Sequence, residues 1–342
     1  MSGFVRALSD GMRRSTGVPE APAASGGEAS AGPILVTGAD HAVGAALAVE
    51  LAGRGLVVHC AYSQPQFVAG PVPGMEWHLV PSNADPGYLP ALRRIVDRHD
   101  VSILIPTLDE ELAAMSALRR WPDPGVLVVV SGAGSVALAD DKLMVSWQLA
   151  AHGVRAPRCG SPSDFASTEE ALDALGGAVV VRGRRPATKS GGSRVLLRPE
   201  DLDWGRLDDD FVVQEFVPGR EYLCVLYRPD GSAGRASVVY QAVRPGRHGD
   251  GIVRLAPGDA EDVHRTAWSA IRALGVVGPA EVVVRTTTEG AVVVLSVHPR
   301  FSRHCSELLD ELVAVAPTVP PEHGSRVVEQ RAVPEESSLS LS

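Results

Sequence analysis

Short apolar runs alternate with amphipathic stretches along the first part of this chain. Ile34-Leu35-Val36 reads as a strand, followed by Thr37-Gly38 and an Ala-rich helix from Val43 to Arg54. Leu56 to Cys60 reads as a second strand, Leu89 to His99 as a helix, and Ser102 to Ile105 as a strand. A helix over Glu110 to Arg119 and a strand over Val126 to Val130 follow, and the unit ends near Asp140. Uniformly apolar strands separated by helices predict a parallel sheet covered on both faces.

The pattern changes after a helix predicted over Lys142 to His152. A helix at 168–175 leads to a strand over Ala178 to Arg182, a Gly/Ser/Lys loop and a strand over Arg194 to Leu197. Strands over Phe211 to Phe216 and Glu221 to Tyr227 precede a hairpin turn at Asp230-Gly231. A strand at 236–243, a helix at 261–274, strands at 281–287 and 291–298, and a closing helix over Ser306 to Val315 complete an α+β region rich in antiparallel pairing. Residues 1–32 and 319–342 are rich in Pro, Ala, Gly, Ser and Glu and are expected to be disordered tails. There is no internal repeat.

Composition narrows the function classes. A net charge of −9 with no basic stripe argues against nucleic acid as a partner. No apolar run approaches the roughly 20 residues that span a bilayer, so no membrane partner is expected. Cys60, Cys159, Cys224 and Cys305 are isolated, so neither a disulfide framework nor a zinc site is expected, and a reducing cytoplasm fits.

Several segments carry candidate chemistry. Gly38 and Gly44 sit between a strand and a helix, but the pattern is not G-x-G-x-x-G and the second strand ends without an acidic residue. A tight strand-to-helix turn explains these glycines better than a nicotinamide site. Asp109-Glu110-Glu111 follows Pro-Thr at the end of a strand and opens a helix, where acidic groups meet the helix dipole favourably. In the loop Ala187 to Val195, Gly191 and Gly192 permit close backbone approach to an anion, while Lys189 adds charge and Ser190 a donor. A flexible hairpin with a chance lysine is the plain alternative. In FVVQEFVPGREYLCVL, an apolar strand runs through Gln214-Glu215-Phe216-Val217 into a Pro218-Gly219 turn, with Glu221 at the next strand's start. A hairpin whose Glu221 is paired across the strands is the plain reading. Arg244, Arg247 and His248 in a Gly-rich turn are a weaker signal.

The order of these segments, from about residue 34 to 312, resembles the ATP-grasp family, in particular the carbamoyl-phosphate-synthase large-chain-like carboxylate–amine ligases. The landmarks are the strand ending Pro106-Thr107 before Asp109, the Asp141-Lys142 helix start, Arg182 with the glycine loop, the Gln214 to Glu221 segment, and LSVHPRF over Leu295 to Phe301. The resemblance implies an α/β, Rossmann-like preATP-grasp domain with a parallel sheet at 33–140. An α+β ATP-grasp domain follows at 141–318, with a small subdomain at about 154–217 and a large one at about 218–318. It implies ATP as cofactor, held by Lys142, Arg182, Lys189, Ser190, Gly191, Gly192, the backbone of Gln214, Glu215, Phe216 and Val217, and Glu221. It assigns Arg300 and Arg303 to catalysis, small-molecule carboxylate and amine substrates, and a homodimer as the family-level expectation.

The metal positions depart from that family. Its signature strand ends in E-x-N-P-R; here Ser296 stands for the carboxylate and His298 for the amide, and Val283 or its neighbour Val282 occupies the acidic position of the preceding strand. Magnesium prefers hard oxygen ligands, which makes Mg2+ doubtful. Glu281 shares the side-chain parity of Val283 and is the candidate rescue ligand; Asp250 and Glu307 are further candidates. Two readings stay open: an ATP-dependent ligase acting through an acyl phosphate, and a catalytically inactive nucleotide-binding pseudoenzyme serving as a regulatory or partner subunit.

Overall fold

Ile34–Val36 (β1) is fully buried at the centre of a five-stranded parallel sheet. The computed structural model describes residues 32–65, 73–119, 125–185, 193–229, 236–242, 252–256, 258–302, 304 and 309. The first sheet also contains Val58–Tyr62 (β2), Met75–Leu79 (β3), Ile103–Ile105 (β4) and Leu127–Val128 (β5), in the order β3-β2-β1-β4-β5. Helices Ala42–Gly53 (α1) and Tyr88–His99 (α2) pack against the apolar side chains of its strands. Parallel strands covered in this way carry the continuous apolar runs seen in the sequence. Two elements here were not legible in it: the edge strand β3, and the helix Ala133–Asp140 (α4). The acidic helix is shorter than expected, with a 3₁₀ turn over Asp109–Glu111 before the helix Leu112–Ala117 (α3).

The Gly38–Gly44 turn has a steric cause. Gly38 takes a φ of +57°, and a Cβ on Gly44 would collide with the Gly38 carbonyl. Helix α1 therefore starts against the end of β1, and the space beside the turn is filled by Leu108 and Thr107. This is the geometry of a tight turn, as the plain reading expected.

Lys142–Ala151 (α5) leads to Cys159–Gly160 (β6), Thr168–Leu175 (α6), Val179–Gly183 (β7), Arg194–Leu196 (β8) and Phe211–Glu215 (β9). These strands form an antiparallel sheet in the order β6-β9-β7-β8. A second antiparallel sheet has the order β12-β11-β10-β13-β14. Its strands are Arg220–Arg228 (β10), Ala236–Ala242 (β11), Ile252–Arg254 (β12), Gly278–Thr286 (β13) and Val292–His298 (β14). Strand alternation buries Val282, Val284 and Val297 with Trp268 and Ile271 of the helix Glu261–Ala273 (α7). It leaves Glu281, Val283, Ser296 and His298 on the half-buried opposite face. Of the expected closing helix only Leu309 is described, helical and buried; the turn at Asp230-Gly231 and residues 1–31 and 319–342 lie outside the described residues.

Candidate active site

Asp141 fixes the start of α5. Its carboxylate caps the helix by accepting from Leu143 N–H at 3.1 Å and Met144 N–H at 3.2 Å. The same carboxylate receives the Arg184 guanidinium, with Nη2 at 2.8 Å, and the Lys142 N–H donates to the Arg184 carbonyl at 3.0 Å. The helix start is thereby tied to the end of β7, which sets Lys142 beside Arg182. Burial lowers the Lys142 pKa, and the charge of Arg182 lowers it further. Burial likewise pushes the Arg182 guanidinium down to about 10. Arg182 Nη2 donates to the Leu295 carbonyl at 2.8 Å, and its Nε is buried without a hydrogen-bond partner. Among the described ion pairs none involves Lys142 or Arg182.

A pocket of about 360 Å³ opens beside this pair. Lys142, Arg185, Asp109, Asp140, Ser296 and His298 supply its polar lining, and Leu112, Val136 and Val145 its apolar walls. The Asp140 pKa is raised by burial, against the lowering pull of Arg185 and Lys142. The structure thus gathers a helix start, a strand end and the substituted metal positions from three distant parts of the chain.

Asp109 organises the far side. It receives Arg300 in a two-pronged pair, Nε to Oδ1 at 2.7 Å and Nη2 to Oδ2 at 3.1 Å, with His298 Nδ1 3.8 Å from Oδ1. Burial alone would raise the Asp109 carboxyl, but nearby His298 and the hydrogen bonds and charge of Arg300 hold it well below the usual carboxylate range. Arg300 Nη1 also donates to the Phe301 carbonyl at 3.0 Å. The guanidinium expected to serve catalysis is therefore held by a carboxylate.

Glu111 likewise departs from the helix-dipole expectation. It is buried, and its carboxylate accepts from Thr107 N–H at 2.9 Å, Leu108 N–H at 3.0 Å, Thr37 Oγ1 at 2.5 Å and the Tyr88 hydroxyl at 2.5 Å. It is a structural hub joining the ends of β1 and β4 to α2.

The remaining candidates lie outside this pocket's lining. Glu221 is paired across the strands with Arg285, Nη2 to Oε2 at 2.8 Å, which is the plain alternative of the sequence reading. Arg285 also donates to the Val217 carbonyl at 2.8 Å and stands over the Phe216 ring, 5.8 Å from its centroid. Glu215 is ion-paired with Arg158, its N–H donating to the Arg158 carbonyl, and buried Gln214 reaches Ser146 Oγ at 3.5 Å. At the expected turn, Gly219 has a φ of +136° and packs on the Thr286 carbonyl. Lys189, Ser190, Gly191, Gly192, Arg244, Arg247, His248, Asp250, Arg303 and Glu307 lie outside the described residues.

No protein-family model and no curated protein matches the chain. Solved structures do share its architecture. N5-carboxyaminoimidazole ribonucleotide synthetase from Thermotoga maritima matches with a TM-score of 0.58 at 17% identity, over 79% of this chain and 69% of its own. L-amino acid ligase from Bacillus licheniformis matches with a TM-score of 0.61 at 16% identity, over 82% and 69%. Biotin carboxylase from Campylobacter jejuni, solved as a β-γ-ATP complex, matches with a TM-score of 0.62 at 15% identity, over 84% and 71%. The chain has the ATP-grasp fold.

Within the ATP-grasp fold, the register of β13 and β14 tests the magnesium positions. Val283 pairs with Ser296 and Glu281 with His298, with an irregularity between Val283 and Val284. Of these four side chains only Glu281 is a carboxylate. One carboxylate, a hydroxyl and an imidazole are a poorer set for hard divalent ions than oxygen ligands throughout. No helix among the described residues is long and apolar enough to cross a membrane.

Proposed function

We propose that this chain binds ATP beside Lys142 and Arg182 and acts as a small-molecule carboxylate–amine ligase through an acyl phosphate. One observation carries the reading. Two half-buried cations, Lys142 and Arg182, stand together without an ion pair of their own; Lys142 Nζ has only the Arg184 carbonyl at 3.5 Å as a described hydrogen-bond partner, and Arg182 keeps a buried, unpartnered Nε. Taking charge partly out of water without an ion-pair partner costs free energy, and a phosphate supplies an anion. The fold it shares with an amino acid ligase and a biotin carboxylase supports the rest. In such a reaction a substrate carboxylate oxygen attacks the γ-phosphorus and ADP departs. An amine nitrogen then attacks the acyl carbon, phosphate leaves, and the nitrogen loses a proton. No step is assigned to magnesium, because Val283, Ser296 and His298 stand at the positions that would hold it. The division into a 33–140 domain and a 141–318 domain, joined where α4 meets α5, belongs to the same proposal.

A second reading is favoured by the substituted strand ends and by Arg300. With Val283, Ser296 and His298 at the metal positions and Arg300 held by Asp109, the chain binds nucleotide without turning it over and serves a partner. Calorimetry with ATP, with and without Mg2+, followed by phosphate release against a panel of carboxylic and amino acids, separates the two. Metal-independent binding with no turnover on any pair would sink the ligase reading. Loss of ATP binding in neither Lys142→Met nor Arg182→Met would sink both.

A further inference from the structure

Far from this pocket's lining, at the open edge of the parallel sheet, three imidazoles and a carboxylate meet. The register pairs His59 on β2 with Glu76 on β3, and strand alternation puts His78 on the same face as Glu76. Helix α2 packs on that face through Ala91, Leu92 and Ile95, and its last residue is His99. His59 Nδ1 lies 3.0 Å from His78 Nε2 and 3.5 Å from Glu76 Oε2. Glu76 is also 3.8 Å from His99 Nδ1 and 3.9 Å from His78 Nε2. One ligand-type atom from each residue lies within 4.8 Å of all the others.

We propose that His59, His78, His99 and Glu76 form a four-coordinate zinc site. Zinc binds imidazole nitrogen and carboxylate oxygen at about 2.0–2.2 Å in tetrahedral geometry, which puts neighbouring ligand atoms about 3.3–3.6 Å apart. The observed separations bracket that value, so small side-chain rotations complete the site. A hydrogen bond between two imidazoles satisfies one pair of these atoms only. A cation at the centre satisfies all four. Three imidazoles with one carboxylate suit zinc, whereas magnesium and calcium favour oxygen ligands throughout. His59 is 5% exposed at its side chain, His78 15% and His99 20%, so the nitrogen ligands are shielded from water. Cys60 is not a ligand: alternation turns it to the opposite face, where it is buried with α1.

Four protein ligands leave no open position, which marks a structural site rather than a catalytic one. Its effect is mechanical. Among the described strands β3 is the sheet's edge, hydrogen-bonded only to β2, and the metal fastens it to the end of α2. Cysteine spacing in the sequence could speak only to thiolate ligands, so it missed a site built from histidine.

The test uses the full chain without a histidine tag, stripped with chelator and titrated with ZnCl2 in a calorimeter. One zinc per chain is expected, with a raised thermal midpoint, and Co2+ in its place should give the visible absorption of a tetrahedral ion. Glu76→Gln changes a half-exposed group and should fold. It is expected to weaken zinc by at least the ~10–100-fold that loss of a group merely orienting a ligand costs. His59→Ala with His78→Ala should abolish binding, while His298→Ala should leave it intact. Absence of stoichiometric zinc in the wild type, an octahedral cobalt spectrum, or equal zinc affinity in Glu76→Gln would overturn the proposal.

Discussion

Asp109 and Glu111, two residues apart, show how little a side chain's sequence position says about its task. Asp109 is depressed in the folded state, so its contribution to stability is present above the unfolded pKa of about 3.9 and is lost as the pH falls through the folded value. Asp109→Asn is therefore expected to flatten the loss of stability below about pH 4, read from urea midpoints across a pH series. At neutral pH Asp109→Ala leaves the half-buried Arg300 without its paired carboxylate, and the cost is expected below the ~3–5 kcal/mol of a fully buried pair. Glu111→Ala removes one acceptor from four donors, each costing ~1–3 kcal/mol when left unsatisfied. Its expected outcome is a chain that no longer unfolds cooperatively in urea. The sequence placed both acids at a helix start correctly. It did not show that one would face Arg300 and the other would turn inward, because their partners lie 191 and 74 residues away.

Elements with a strong internal pattern were legible and those held by neighbours were not. Helix α7 buries Val263, Ala267 and Ile271 at helical spacing, and both its existence and its limits agree with the sequence reading to within a residue. Strand β3 is half-exposed and mixes Glu76, Trp77 and His78, so only pairing with β2 makes it a strand. Helix α4 is rich in Ala and Gly and buries only Val136, which leaves no amphipathic stripe to read. The Gly38–Gly44 turn belongs to this scale too. Gly44→Ala drives a methyl into the Gly38 carbonyl, and overpacking of this kind costs about 1–3 kcal/mol. A drop of that size in the thermal midpoint, without any change in nicotinamide binding, is the expected result.

At the scale of the whole molecule, the parallel sheet and the second antiparallel sheet share one apolar core, in which Ile34, Val36 and Ile105 cluster with Val225, Tyr227, Val238 and Phe301, and a few polar contacts add to it. Ser131 Oγ donates to the Val277 carbonyl at 2.6 Å and accepts from the Val277 N–H at 3.1 Å, and Arg300 reaches Asp109. Ser131→Ala leaves both backbone groups of Val277 without their partner and is expected to cost about 1–3 kcal/mol in urea unfolding, with helix content by circular dichroism unchanged. The candidate active site is a product of these long-range contacts. Local pattern placed Lys142 at a helix start and Arg182 at a strand end, but only the resemblance to a family marked them as nucleotide candidates, because a lone cation at such a position carries no chemistry by itself. Ser296 and His298 were marked in the same way, by the family's signature strand. Local hydrophobic period and turn chemistry act over a few residues, so the sequence by itself determined the succession of strands and helices and the residues at their ends. Side-chain partners are chosen by whatever folding brings within a few ångströms. Only the tertiary structure could decide that Glu221 pairs with Arg285, that Arg300 is held by Asp109, and that His59, Glu76, His78 and His99 converge.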